Sequence, residues 1–335
     1  MRRLILTALA LLLLPGVVVW RQYETTYRDE GGRADYLEIE EPPRLRSDQP
    51  ELQDGGIPIL CYHYLRGRPG PLYFARVLGA VLFNLPTLQD REYWSTPVEV
   101  FASHLAWLDE NGYSAITLDE LAGILDGRAA GPDRPVVITF DDGDRSVKDL
   151  ALPLLQEHGM VATLFVVTSQ VGRKWEDVDG MDWDDLRALQ ATGLFQVESH
   201  SHAMHYKVKG PRGRMRPVFL DKVPGGGGAD AAGEAWVRRD LRASRDALQR
   251  ELGRPARWLA WPYGWANDDL DRLAAGEGYA GSVSLAAGAN VPGRDRPWHL
   301  SRLTISARTT TRVFQEMMQT LQSEGTAIAA RRSGP

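Results

Sequence analysis

The sequence predicts an α/β fold built on a parallel sheet or barrel, and three observations carry that expectation. Val136-Val137-Ile138-Thr139-Phe140 is a run of β-branched and aromatic residues, the pattern of a strand buried on both faces. Strand-like and helix-like segments alternate along the chain. A length of 335 residues with 43% hydrophobic content suffices for one large barrel or for two ordinary domains.

Composition narrows the function classes. The formal net charge is −5 and no dense Lys/Arg run occurs, so a nucleic-acid groove is excluded. Cys61 is the single cysteine, expected in an apolar strand. An intramolecular disulfide and a thiolate cage are therefore ruled out, and any zinc must be held by His and carboxylates.

Taken in order, the chain opens with Arg2-Arg3 before an uninterrupted apolar segment, residues 4–20, near the lower length limit of a bilayer span. No small-x-small cleavage site follows, so residues 1–22 read as an uncleaved signal anchor, with a cleaved signal peptide as the alternative. The basic residues place that end in the cytoplasm and the body of the protein outside it. Residues 23–56 are polar and Pro/Gly-punctuated, a linker. Order begins with the strand Ile57-Pro58-Ile59-Leu60-Cys61-Tyr62-His63, and residues 66–93 form an insertion.

Thr96 with Glu99 predicts a capping box, with Pro97 at the first helical position, Val100, Phe101, Leu105 and Leu108 as the apolar stripe and Gly112 as the stop. A strand over 114–118 and a second capping box, Thr117 with Glu120, follow. Beyond the central strand come a helix over 150–155 stopped by Gly159 and a strand over 161–167. Further strands are expected at 195–199, 258–261, 281–285 and 300–305, and a last helix at 313–321. Residues 206–233 are a second insertion, whose Gly225 to Gly228 run lacks the strand and the Lys-Ser/Thr of a phosphate loop. Residues 323–335 are expected to be a disordered tail.

The candidate chemistry gathers at predicted strand ends. The central strand runs into Asp141-Asp142-Gly143, where α/β folds collect catalytic groups. Adjacent strand residues face opposite sides, so the carboxylates share a site only if the chain bends, which Gly143 permits. Glu198-Ser199-His200-Ser201-His202-Ala203-Met204-His205 places three of the seven histidines within six residues. A catalytic zinc takes three protein ligands and keeps an open position. His200 and His205 would have to converge from a strand end and a loop, and His202 could replace either or face solvent. In Trp258-Leu259-Ala260-Trp261-Pro262-Tyr263-Gly264, the turn at Tyr263 can aim an N–H at an oxyanion, and Trp261 and Tyr263 offer flat faces for sugar rings. His299 enters the strand at 300, and His63 at a strand end faces the same pocket. His104 and His158 read as structural, and Trp183 as a core or groove residue.

Three of these segments in this order, Thr139-Phe140-Asp141-Asp142-Gly143, the stretch from Ser199 to His205, and Trp261-Pro262-Tyr263-Gly264, resemble the leading motifs of the polysaccharide deacetylases, the NodB-homology group or carbohydrate esterase family 4. Pro58 to His63 and Asp240-Leu241-Arg242-Ala243-Ser244 resemble the poly-β-1,6-N-acetylglucosamine deacetylase branch. The resemblance implies a distorted (β/α) barrel over residues 57–322 that removes N-acetyl groups from an exported GlcNAc polysaccharide, alongside export or synthesis machinery. It implies Asp141 as general base, Asp142, His200 and His205 as ligands of a divalent ion, most simply Zn2+, and the Tyr263 backbone at the oxyanion. His299 is then the candidate acid, and Trp261, Tyr263 and His63 the substrate contacts. The five-residue spacing to His205 favours this branch over peptidoglycan or chitin enzymes, and the same hydrolysis on peptidoglycan or a lipid-linked sugar is the nearest alternative. Ala260 and Trp261 stand where many relatives place an arginine that pairs with the base, so the base is set differently here. Asp144 stands where this branch often has an aromatic residue. Pro297-Trp298-His299-Leu300 departs from the family's late Leu-x-x-His motif. A catalytically silent sugar-binding protein on the same barrel is the alternative from another class.

Overall fold

The computed structural model describes residues 56–67, 93–176, 178–210 and 213–332, with side chains through 321. The expected anchor, nearly all of the linker and most of the first insertion lie outside them. Among the described residues no helix is long and apolar enough to cross a membrane.

One nine-stranded sheet organises the chain. Its strands are β1 (Ile57–Tyr62), β2 (Ser114–Ala115), β3 (Pro135–Phe140), β4 (Ala162–Val166), β5 (Phe195–Ser199), β6 (Trp258–Ala260), β7 (Gly281–Val283), β8 (Ala289–Asn290) and β9 (Leu303–Thr304). The main path runs β7-β6-β5-β4-β3-β1-β8, with β9 also on β1 and β2 on β3. All pairings are parallel except β1 with β8. The segment from Leu300 to Ile305 then closes the sheet on itself. Leu300 bridges Val283 on one edge, while Leu303 and Thr304 pair with Leu60 and Cys61 on the other. The result is the distorted (β/α) barrel the sequence implied.

The strand period of two decides what lines the barrel. Val136, Ile138 and Phe140 of β3 join Leu60 and Tyr62 of β1 and Leu164 and Val166 of β4 in the core beneath the helices. The alternate set, Ile59, Val137, Phe165, Trp258, Ala260, Val283 and Leu300, forms a separate inner cluster. By the same alternation Cys61 and His63 continue the inward row of Ile59, and Thr139 and Asp141 that of Val137. An uninterrupted apolar run thus delivers a carboxylate to the mouth of the barrel.

Helices α1 (Val98–Glu110), α2 (Leu118–Leu125), α3 (Leu152–Glu157), α4 (Trp183–Ala191), α5 (Val218–Lys222), α6 (Ala231–Leu252), α7 (Asp268–Gly276) and α8 (Thr311–Arg332) surround the sheet. The Thr117–Glu120 capping box forms: Glu120 N–H donates to Thr117 Oγ1 at 3.2 Å and Thr117 N–H to Glu120 Oε2 at 2.7 Å. The Thr96–Glu99 box does not form. Thr96 is drawn into a short strand, Ser95–Pro97, paired with Tyr64–Arg66, and Pro97 becomes the N-cap without a side-chain bond. That pairing brings together the two ends of the first insertion. Helix α3 is preceded by a π-helical turn, Val147–Ala151, so the helical path begins ahead of its expected start. Several strands are shorter than their apolar runs, and α8 continues to Arg332 through residues expected to be a tail, where Ala and Arg favour helix. Trp183 packs on the main core.

His104 is fully buried on α1, its ring stacked on Phe314 at 4.1 Å and its Nδ1 3.0 Å from the Tyr62 hydroxyl. Burial lowers its pKa from 6.5 to about 4. Unfolding therefore takes up a proton between those values, so the contribution of His104 is intact above pH 6.5 and is lost as pH falls towards 4. The loss is on the order of 3 kcal/mol. Urea midpoints of the wild type should fall between about pH 7.5 and about pH 5, and the fall should shrink in His104→Gln. An equal fall in both proteins would refute this role.

Candidate active site

Three of the sequence segments converge at the barrel mouth, and each arrives through a left-handed residue. Asp142 (φ 73°), Ser201 (φ 71°) and Tyr263 (φ 60°) are among the few non-glycine residues with positive φ in the described structure. Such conformations persist only where the surroundings enforce them, and they cluster at functional sites. The bend that lets the aspartate pair share one site lies at Asp142 as well as at Gly143 (φ 80°).

Asp142, His200 and His205 form one cluster. Asp142 Oδ1 lies 3.5 Å from Nε2 of both histidines. The other carboxylate oxygen, Oδ2, accepts a 2.8 Å hydrogen bond from the Tyr64 hydroxyl. His200 Nδ1 lies 2.8 Å from the Ala260 carbonyl, to which it donates, and its Nε2 lone pair is left facing the cluster. Burial lowers His200 to about 4 and His205 to about 3, only partly offset by the aspartates at His200 and by its own backbone at His205, so both rings are neutral at pH 7. Asp142 Oδ1 is buried without a hydrogen-bond partner among the described residues. One carboxylate and two neutral imidazoles, with ligand atoms within 4.8 Å of one another, fit a divalent ion of the zinc type.

The five-residue spacing is produced by a held loop. Both oxygens of Asp240 on α6 accept backbone N–H groups, from His202 at 2.7 Å and Ala203 at 2.8 Å. His202 turns away to Thr168 Oγ1 at 2.9 Å and is not part of the cluster.

Asp141 is held differently, as the missing arginine before Pro262 required. Arg302, fully buried inside the barrel, donates Nη1 to Oδ1 at 2.8 Å and Nη2 to Oδ2 at 2.7 Å. Its Nε donates to the Ser284 carbonyl at 2.8 Å, which fixes the fork. The Cys61 thiol approaches Oδ2 at 3.6 Å. Burial pushes Asp141 up, but the guanidinium outweighs it, and the carboxyl is held well below the usual range. Burial likewise raises the Cys61 thiol, so it stays protonated. Arg302→Met should leave Asp141 uncompensated, lift its pKa and destabilise the fold by about 3–5 kcal/mol. Urea unfolding at neutral pH measures this, and a loss below about 1 kcal/mol would show that the pair contributes little.

His63 also arrives here. It is buried, its ring lies 4.3 Å from that of Trp94, and its Nδ1 has no hydrogen-bond partner among the described residues. With Cys61 and Asp141 it makes a second set of polar atoms within 4.8 Å. Burial lowers its pKa, opposed by Asp142 and Asp141. His299, expected as the acid, is tied elsewhere. Its Nδ1 lies 3.0 Å from Asp271 Oδ2, and no described contact joins it to Asp141, Asp142, His200 or His205.

Trp261 is not exposed at the barrel mouth. It is fully buried against Phe219 and donates Nε1 to Asp271 at 2.8 Å, because the alternation that points Trp258 inward turns Trp261 to the helix-covered side. Tyr263 does reach the site, its ring 4.5 Å from that of His205. On the other side Trp175 meets His205 edge-on at 5.0 Å. The strands carrying it, Lys174–Trp175 and Val178–Asp179, are tied down by Asp144, which accepts from Asp179 N–H and Ser146 N–H, both at 2.9 Å.

Sequence reasoning missed Arg302, Tyr64, Trp94 and Trp175. Arg302 alone carried a signal, as the one charge in the predicted strand 300–305.

A (β/α) barrel with two carboxylates and two neutral histidines at its carboxyl-end mouth defines a hydrolase site. Residues 128–281 match the polysaccharide deacetylase family. That segment is a polysaccharide deacetylase domain, and the chain as a whole is similar to one branch in particular. It is 26% identical over 248 residues to the poly-β-1,6-N-acetyl-D-glucosamine N-deacetylase of Staphylococcus aureus, covering 74% of this chain and 78% of that protein. Among solved structures it is similar to IcaB from Ammonifex degensii, with 28% identity and a TM-score of 0.63 over 81% of this chain and 98% of that one. It is also similar to the BpsB deacetylase domain of Bordetella bronchiseptica, with 26% identity and a TM-score of 0.56 over 76% and 98%.

Proposed function

We propose that this chain removes acetyl groups from N-acetylglucosamine units of a β-1,6-linked polysaccharide, outside the cytoplasm, as residues 57–322 tethered by the segment at 1–22. The observation that carries the chemistry is the adjacency of the Asp142–His200–His205 cluster to an ionised, arginine-braced Asp141. The names of the similar proteins support the substrate, and the basic and apolar start of the sequence supports the location.

When bound by Asp142, His200 and His205, a divalent ion, most simply Zn2+, supplies Lewis acidity towards the acetamide carbonyl and the attacking water. The chain's own groups handle the protons. Asp141 Oδ2 already receives Arg302 and Cys61, so Oδ1, carrying only Arg302, is the oxygen that accepts the proton of water. The amide C–N bond breaks, acetate takes the water oxygen, and the leaving nitrogen needs a proton. In this reading His63 passes to it the proton that Asp141 has taken from water, because it stands beside Asp141 while His299 stands with Asp271. The left-handed turn at Tyr263 aims backbone N–H at the developing oxyanion. Trp94, Trp175 and Tyr263 are the aromatic rim against which the sugar packs.

The test is acetate release from β-1,6-linked N-acetylglucosamine oligomers by the purified protein, with and without chelator. Chelator-sensitive release is expected. Release from peptidoglycan fragments alone would replace the substrate. An absence of release from either would leave a sugar-binding protein.

A further inference from the structure

Asp142 presents its two oxygens unequally. Oδ2 accepts the Tyr64 hydroxyl at 2.8 Å, whereas Oδ1 has no hydrogen-bond partner among the described residues and lies 3.5 Å from Nε2 of both His200 and His205. A carboxylate with both oxygens open can bind an ion through one of them or through both. Here a phenol occupies the second. That phenol is held in place from two directions. Tyr64 is buried and opens the short strand Tyr64–Arg66, which pairs in parallel with Ser95–Pro97. The next residue, Leu65, donates its N–H to Ser146 Oγ at 2.9 Å, and Ser146 donates its own N–H to Asp144 Oδ1 at 2.9 Å. Tyr64 is thus fastened to the loop that carries Asp142.

The spacing of the ligand atoms matches a low coordination number. Ligands about 2.1 Å from a tetrahedral ion stand roughly 3.4 Å apart, and at the same length around an octahedral ion about 3.0 Å apart. The two separations of 3.5 Å from Oδ1 follow the first pattern. Resting on the reading above that Asp142, His200 and His205 hold a divalent ion, we infer that Tyr64 is a positioning residue. It confines Asp142 to binding through one oxygen, and so sets the preference of the site for a four-coordinate ion such as zinc over manganese, which takes more oxygen ligands. Without the hydroxyl the carboxylate is free to turn both oxygens to the ion, which serves manganese as well as before and zinc less well.

The test is calorimetric titration of zinc and of manganese into the metal-stripped full chain, wild type and Tyr64→Phe. The wild type should bind zinc the more tightly of the two. Tyr64→Phe should lose about 10–100-fold in zinc affinity, the usual effect of removing the outer partner of a metal ligand, while manganese affinity holds, so that the preference for zinc narrows by the same factor. The melting temperature of the metal-free proteins separates this from a structural role. A hydroxyl that only stabilised the fold would lower that temperature on removal and leave the ratio of the two affinities where it was. A ratio that does not move would overturn the role of Tyr64, whereas a wild type that takes up neither ion would overturn the metal reading beneath it.

Discussion

Asp141→Asn is expected to keep its full complement of metal while turnover falls by about 10²–10⁴-fold, the usual contribution of a general base. The substitution leaves Asp142, His200 and His205 untouched, so metal content should stay at one equivalent per chain. The amide oxygen can accept from one nitrogen of Arg302, but the amide NH2 meets the other as donor against donor, and the buried guanidinium loses its counter-charge. A lowered thermal midpoint should therefore accompany the loss, and circular dichroism at the assay temperature separates the two effects. Retained turnover in a folded variant would remove Asp141 as the base.

Asp142→Ala is expected to abolish both metal binding and activity. Asp142 Oδ1 is the atom both histidines face, so its removal takes the one negative ligand from the set. The readout is direct: added zinc should raise the thermal midpoint of the wild type, as any ligand of the folded state does, and should leave that of the variant where it is. Metal quantification after dialysis gives the same answer independently. A full complement of metal in Asp142→Ala would dissolve the proposed site.

The strands and the convergence of the motifs were legible because they rest on short-range rules. Period two carried Asp141 inward from a run of five apolar or β-branched residues, and a strand end followed by a loop was the only way to bring His200 and His205 together. Cross-chain partners were not legible. Arg302 reaches Asp141 from 161 residues away, and Tyr64 reaches Asp142 from 78. Trp261 misled because the sequence shows an aromatic beside a turn but not which side of the strand it takes. The surroundings of the two histidines were likewise set by packing: Asp271 on α7 holds His299, while β1 delivers His63 to Asp141. The capping boxes make the same point locally, since Thr117 caps its helix and Thr96 is spent on a strand pairing that the sequence did not reveal.

The segment from Leu300 to Ile305 makes the integrity of the architecture and the competence of the chemistry one property. Its few backbone bonds join the two edges of the sheet, Leu300 with Ser282 and Ser284 on one side and Ile305 with Cys61 on the other, and Arg302 sits between them. A fluctuation that parts this seam withdraws the guanidinium from Asp141. Activity followed on warming is therefore expected to fall no later than the circular-dichroism signal of the sheet and helices.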